Sequence, residues 1–150
     1  MDVNRLKQAY YHLPVLFEFY ELYRIFLSLF QTHREYFYVW CDIGSIYGAP
    51  ADCVWGGGRV ENGDADPRAV LALLREYGIS ARLTFSNSLL REEHLSDRAC
   101  NGLSRLFAEC KKPPNGVIVQ SELLLKYLRQ RYPGFYFVSS TTKVLTEFPQ

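Results

Sequence analysis

The sequence predicts an α/β fold: a four-stranded parallel β/α half-barrel, half of a TIM-type barrel, preceded by an extra apolar helix at the N-terminus. Three observations carry this. Short β-branched or aromatic runs alternate with stretches whose apolar residues recur at helical spacing, which is how a parallel sheet with crossover helices reads. The run GVIVQ, Gly116 to Gln120, has the continuous apolar character of a strand covered on both faces. The strand–helix unit repeats three times before a fourth strand, and such connections are right-handed. An open doubly wound sheet fits the same alternation.

The elements follow in order. LPVLFEFYELYRIFLSLF, Leu13 to Phe30, reads as a helix begun near Pro14, since proline suits a first-turn position. Glu18, Glu21 and Arg24 interrupt it and would each be costly at mid-bilayer, so no membrane span is expected. YFYVWCDIG, Tyr36 to Gly44, is the first expected strand. The segment from Ser45 to Asp66 is rich in Gly, Pro and Asp and reads as a long loop. Asp66 then caps the helix PRAVLALLREY, with Pro67 at its first position and Gly78 as its stop. Ile79 to Ser86 is the second strand, Leu95 to Cys110 the second crossover helix, and GVIVQ the third strand. Ser121 caps SELLLKYLRQRY, Pro133-Gly134 closes it, and FYFVSS is the fourth strand.

Length and composition set outer bounds. A chain of 150 residues with 48% hydrophobic and 22% charged residues suits one soluble domain. The formal net charge of +1 supplies no electrostatic footprint for nucleic acid, which disfavours that class of partner. Cys41, Cys53, Cys100 and Cys110 contain no CxxC pair, so no metal site is legible. Two disulfides are arithmetically possible. With no secretory segment, free buried thiols in a reducing cytoplasm are the expectation, and Cys53 in the glycine loop is the one thiol in a position where reactivity is plausible, an inert thiol being the plainer reading.

In parallel β/α folds ligands gather at the C-terminal ends of the strands, where loops and helix N-termini converge. That rule selects Ser45–Asp66, Ser86–Asp97, Gln120–Glu122 and Ser139–Lys143. CVWGGGRV, Cys53 to Val60, lacks the spacing of a phosphate loop. Its three glycines still allow close backbone approach, and Arg59 offers a planar fork for an anion; a structural turn with Arg59 ion-paired at the surface is the plainer alternative. SNSLLREEH holds Asn87, suited to orienting a ligand, and Glu93 and His94, the parts of a general acid or base. A capping or loop-packing role competes there. Ser121-Glu122 reads as a helix cap with a first-turn acid. SSTTK places Thr141, Thr142 and Lys143 in one turn that could hold an anion or simply cap.

IGSIYGAPADCVWGGGRV, LTFSNSLLREEHLSDRACN and FYFVSSTTKVLTEF together resemble the N-terminal half of an uncharacterised family of bacterial proteins. That family is distantly similar to the collagenase-like peptidase and ubiquinone-hydroxylation superfamily. The resemblance spans roughly Tyr38 to Phe148 and implies a β/α barrel whose C-terminal half carries a cysteine-rich motif for a metal or iron–sulfur cluster. These 150 residues contain no such motif, so a cofactor would need a further C-terminal half to supply the cysteines. By position, Tyr47, Arg59, Asn87, His94, Thr141, Thr142 and Lys143 match the family's recurrent polar stretches.

The expectation is therefore the N-terminal half of a barrel enzyme binding a small polar or anionic ligand at its strand ends. Arg59 and Lys143 would hold negative charge, Asn87 would orient the ligand, and Glu93 or His94 would handle a proton. The reading frame would continue past Gln150 into a cysteine cluster. The competing class is a non-catalytic half-barrel that works as a protein-interaction or oligomerisation module, as a homo-oligomer or with a missing half.

Overall fold

The structure, a computed structural model, describes residues 8–57 and 65–144. Five parallel strands lie side by side in chain order: β1 (Ala9–Leu13), β2 (Cys41–Gly48), β3 (Ser80–Phe85), β4 (Gly116–Val119) and β5 (Tyr136–Ser139). Four helices connect them: α1 (Tyr20–Thr32), α2 (Pro67–Glu76), α3 (Arg98–Ala108) and α4 (Glu122–Arg131). Sequential order with one helix per crossover curls the sheet into a parallel half-barrel.

The strand count corrects the sequence reading. Among the described residues there are five strands instead of four, and the apolar helix is the crossover between β1 and β2 instead of an extra element. AYYHL escapes a pattern search because it is a short edge strand with three exposed central residues, so neither face shows the buried stripe that betrays a strand. Helix α1 starts at Tyr20 and not near Pro14. Val15 adopts φ 65°, a left-handed conformation that a helix does not tolerate. The hydroxyl of Tyr23 donates to the Pro14 carbonyl and fastens this turn; burial, with a smaller contribution from Tyr47, pushes the Tyr23 pKa up to about 12.

The aromatic run at Tyr36 is likewise displaced. Arg34–Tyr36 is a 3₁₀ turn, Tyr38 stacks on Trp40 with centroids 4.9 Å apart, and the strand begins only at Cys41. Most later elements stand where the pattern put them, except that Leu95, expected to open the second crossover helix, lies in a 3₁₀ turn over Glu92–Ser96. Asp66 accepts from Arg68 N with Pro67 behind it, Gly78 takes φ 67°, and Ser121 accepts from Leu124 N. Helix α3 starts at Arg98, capped by Asp97 through Cys100 N.

The core lies between the sheet and the helices. Ile46, Ala81, Leu83, Phe85 and Val117 are completely buried on the sheet, facing Leu27, Val70, Leu74, Phe107, Leu124 and Leu128 from the four helices. Each large side chain buried in this way contributes about 1.5–3 kcal/mol. Asn115, 2% exposed, joins three elements: its Oδ1 accepts from Ala81 N and its Nδ2 donates to Phe107 O.

Cys53 and Cys100 form a disulfide with Cα atoms 5.6 Å apart. This overturns the expectation of free thiols and removes Cys53 as a candidate for reactivity; Cys41 and Cys110 are free. Their separation of 47 residues hides the pairing in sequence. The pairing arises because the β2–α2 connection folds back over the start of α3. No helix among the described residues is long and apolar enough to cross a membrane.

Candidate functional site

The strand-end residues singled out in sequence occupy two separate clusters, each held by internal hydrogen bonds. In the first, Trp55 is a plug. Its ring is fully buried edge-on to Phe85, with centroids 5.3 Å apart, and its Nε1 donates to the His94 carbonyl. Asn87 closes the same knot: its N donates to Trp55 O, its Nδ2 to Val54 O, and its Oδ1 accepts from Leu89 N. His94 Nδ1 accepts from Arg91 N, and its Nε2 lies 3.7 Å from a Glu93 oxygen. The asparagine amide and one imidazole nitrogen are thus committed to the loop.

Gly57 takes φ 79°, and a Cβ there would stand 3.0 Å from Asn87 N. That glycine is required by close packing of two loops. Arg59 lies outside the described residues.

In the second cluster, Thr142 Oγ1 donates to Gln120 Oε1 and pairs with Ser140 Oγ, while Lys143 is ion-paired to Glu122. Thr141 is exposed. Lys143 therefore already has a counter-charge.

A different set of residues converges on the sheet's other face. In a strand alternate residues point to opposite sides, and in β3 the odd members Ala81, Leu83 and Phe85 go to the helices. Ser80, Arg82 and Thr84 go to the concave side, in register with Ser45, Tyr47, Gly116 and Ile118 of the neighbouring strands. Side-chain contacts confirm the row. A Cβ on Gly116 would meet Tyr136 Cβ at 3.3 Å and Arg82 Cγ at 3.4 Å. The missing side chain lets Arg82 cross β4 and lie over the Tyr136 ring, 5.0 Å from its centroid.

Beside it, β1 and β2 slip register between Tyr11 and His12, a bulge that re-aims a side chain. His12 Nδ1 pairs with Ser45 Oγ at 2.8 Å, and a Cβ on Gly44 would stand 2.9 Å from the imidazole. Burial, then the nearby Arg82 charge, holds the His12 pKa below its usual value. Burial also lowers that of Arg82.

Two polar atoms here lack partners. Arg82 Nε and Thr84 Oγ1 are buried with no hydrogen-bonding partner among the described residues, and Thr84 is 9% exposed overall. Arg82 has a ring but no carboxylate among its described contacts, although an unpaired buried donor or acceptor costs about 1–3 kcal/mol. Around them Ile118, Val138 and Tyr136 are half-buried or exposed. The arrangement is a single guanidinium on an aromatic face, an orphan hydroxyl two residues along, and an apolar shelf.

Sequence reasoning passed over Arg82, Thr84, His12 and Tyr136. The signal was present in SARLTF, which alternates polar and apolar. A parallel strand covered on both faces is apolar throughout, so the alternation marks a face that the helices do not cover.

The cysteines do not fit an iron–sulfur or metal ligand set: two are joined to each other, and no group of three or more His, Cys, Asp or Glu converges among the described residues. No protein-family model, no curated protein and no solved structure matches this chain.

Proposed function

We propose that this chain is a ligand-binding β/α half-barrel, the N-terminal part of a barrel enzyme, that holds a small anionic ligand on the concave side of its sheet. The Arg82 guanidinium carries the reading. It is partly desolvated, positioned by Tyr136 and the gap at Gly116, and unpaired by any carboxylate among its described contacts. A protein that buries a cation commonly pairs it, and the fork geometry of arginine suits a planar oxyanion. Lys143, held by Glu122, assists at the strand ends only if that pair opens. The sequence resemblance to the collagenase-like peptidase superfamily implies a β/α barrel and supplies no reaction.

The test is isothermal titration of the purified chain with acetate, benzoate and inorganic phosphate. At least one anion is expected to bind, and Arg82→Gln to weaken it by about 1.5–3 kcal/mol, the worth of a charged hydrogen bond. Equal affinity in the variant removes the assignment.

A different observation favours the interaction-module reading. Leu22, Ile25 and Leu29 form an exposed apolar stripe on α1, and β1 and β5 are open edges among the described residues. A concentration-independent monomer in sedimentation would count against it.

A further inference from the structure

Resting on the anion-binding reading, we infer that the ligand class of the Arg82 site is a small monocarboxylate with an apolar or aromatic body, rather than a phosphate ester. The inference stands on charge count and on what surrounds the guanidinium. Arg82 is the only cation in its row: its register partners are Tyr47 and Gly116, and Tyr136 follows on β5.

His12, the nearest further base, has its protonation opposed by burial and by Arg82 itself. Near neutral pH the site offers one positive charge. A carboxylate matches it, whereas a phosphate monoester carries close to two negative charges at that pH and would leave one uncompensated in a partly desolvated place.

The shape agrees. The guanidinium carbon stands over the Tyr136 ring, 5.0 Å from its centroid, and the fork of an arginine suits a planar two-oxygen acceptor. Thr84, on the same face two residues along, brings a hydroxyl with no partner among the described residues, able to donate to the second carboxylate oxygen after a rotation about χ1. Beyond it, Ile118 and Val138 stand in register with Thr84 and are half-buried, while their neighbours Val117 and Val119 are buried against the helices. They form an apolar floor on the concave side, with the 56% exposed ring of Tyr136 beside them. A carboxylate with a hydrocarbon or aromatic body would place its charge on Arg82 and its apolar part on that floor. A hydrated sugar phosphate would desolvate its hydroxyls there without partners.

The experiment titrates the full chain with benzoate, phenyl phosphate and benzamide, with chemical shifts read in parallel. Benzoate is expected to bind about tenfold or more tightly than either competitor and to shift residues of β3, β4 and β5. Arg82→Gln should weaken benzoate about tenfold or more. Arg82→Lys, which keeps the charge and loses the fork, should recover only part of that loss.

Tighter binding of phenyl phosphate, still dependent on Arg82, overturns the monocarboxylate class and leaves the anion site standing. Benzoate binding indifferent to Arg82, or equal binding of benzamide, overturns the placement. Binding of neither anion overturns both readings. An unchanged amide spectrum outside the concave face shows that each variant is folded before its affinity is read.

Discussion

The two faces of β3 differ by one residue step and by almost everything else. Ala81, Leu83 and Phe85 are completely buried under the helices, while Ser80, Arg82 and Thr84 look toward the concave side and include two polar atoms without a partner among the described residues. The first face is apolar and closed by the helices, where the Ser104 hydroxyl is also buried without a partner among the described residues. The second tolerates an unsatisfied donor and hydroxyl, and natural proteins concentrate such departures where something else is to be bound. A glycine completes the contrast. Gly116 is the point at which the concave face gives up a side chain so that an arginine can reach a tyrosine on the far strand.

That contrast can be broken most forcefully at Phe85. Phe85→Ala removes a fully buried ring that meets Trp55 edge-on and is expected to cost about 3–5 kcal/mol in urea unfolding, with loss of the Trp55 near-UV signal. A cost under about 1 kcal/mol would show that this face is not the core.

Gly116→Ala comes next. The new Cβ would stand 2.5 Å from the Tyr136 carbonyl oxygen, so the edge strand must shift, at about 1–3 kcal/mol. Hydrogen exchange should accelerate in β5 before β2, and Arg82 should lose its ring.

The smallest expected effect lies one residue from the largest. Thr84→Val removes a buried hydroxyl that has no partner among the described residues and keeps the shape, so stability should be unchanged or higher by up to about 1 kcal/mol. Benzoate affinity should fall in the same variant, which is the stability–function trade expected of a binding position. A clear loss of stability would mean that the hydroxyl already has a structural role.

Much of the architecture was legible because local signals agreed with one another. Asp66-Pro67, Gly78 and Ser121 each mark a helix end by chemistry confined to a few residues, and the structure uses each one as a cap or a stop. The N-terminal third was misread because its determinants are not local. AYYHL is a strand only by virtue of pairing with β2, and Val15 ends any helix there through a backbone angle that no composition rule announces.

The site followed the same division. The strand-end rule led to loops whose polar groups, such as the Asn87 amide and Thr142, prove to bond their own neighbours. Arg82 and Tyr136 are 54 positions apart in the sequence, and only the register across β4 makes them one feature.

The Cys53–Cys100 bond has a mechanical consequence. It closes a covalent ring that contains α2, β3 and the Trp55 plug. A pull on the two ends of the chain would travel along the backbone to Cys53, cross the sulfur bridge and leave through Cys100. The strand that carries Arg82 would bear no covalent load until the bridge was reduced, whereas β4 and β5, which supply Gly116 and Tyr136, lie outside the ring and would be drawn away first.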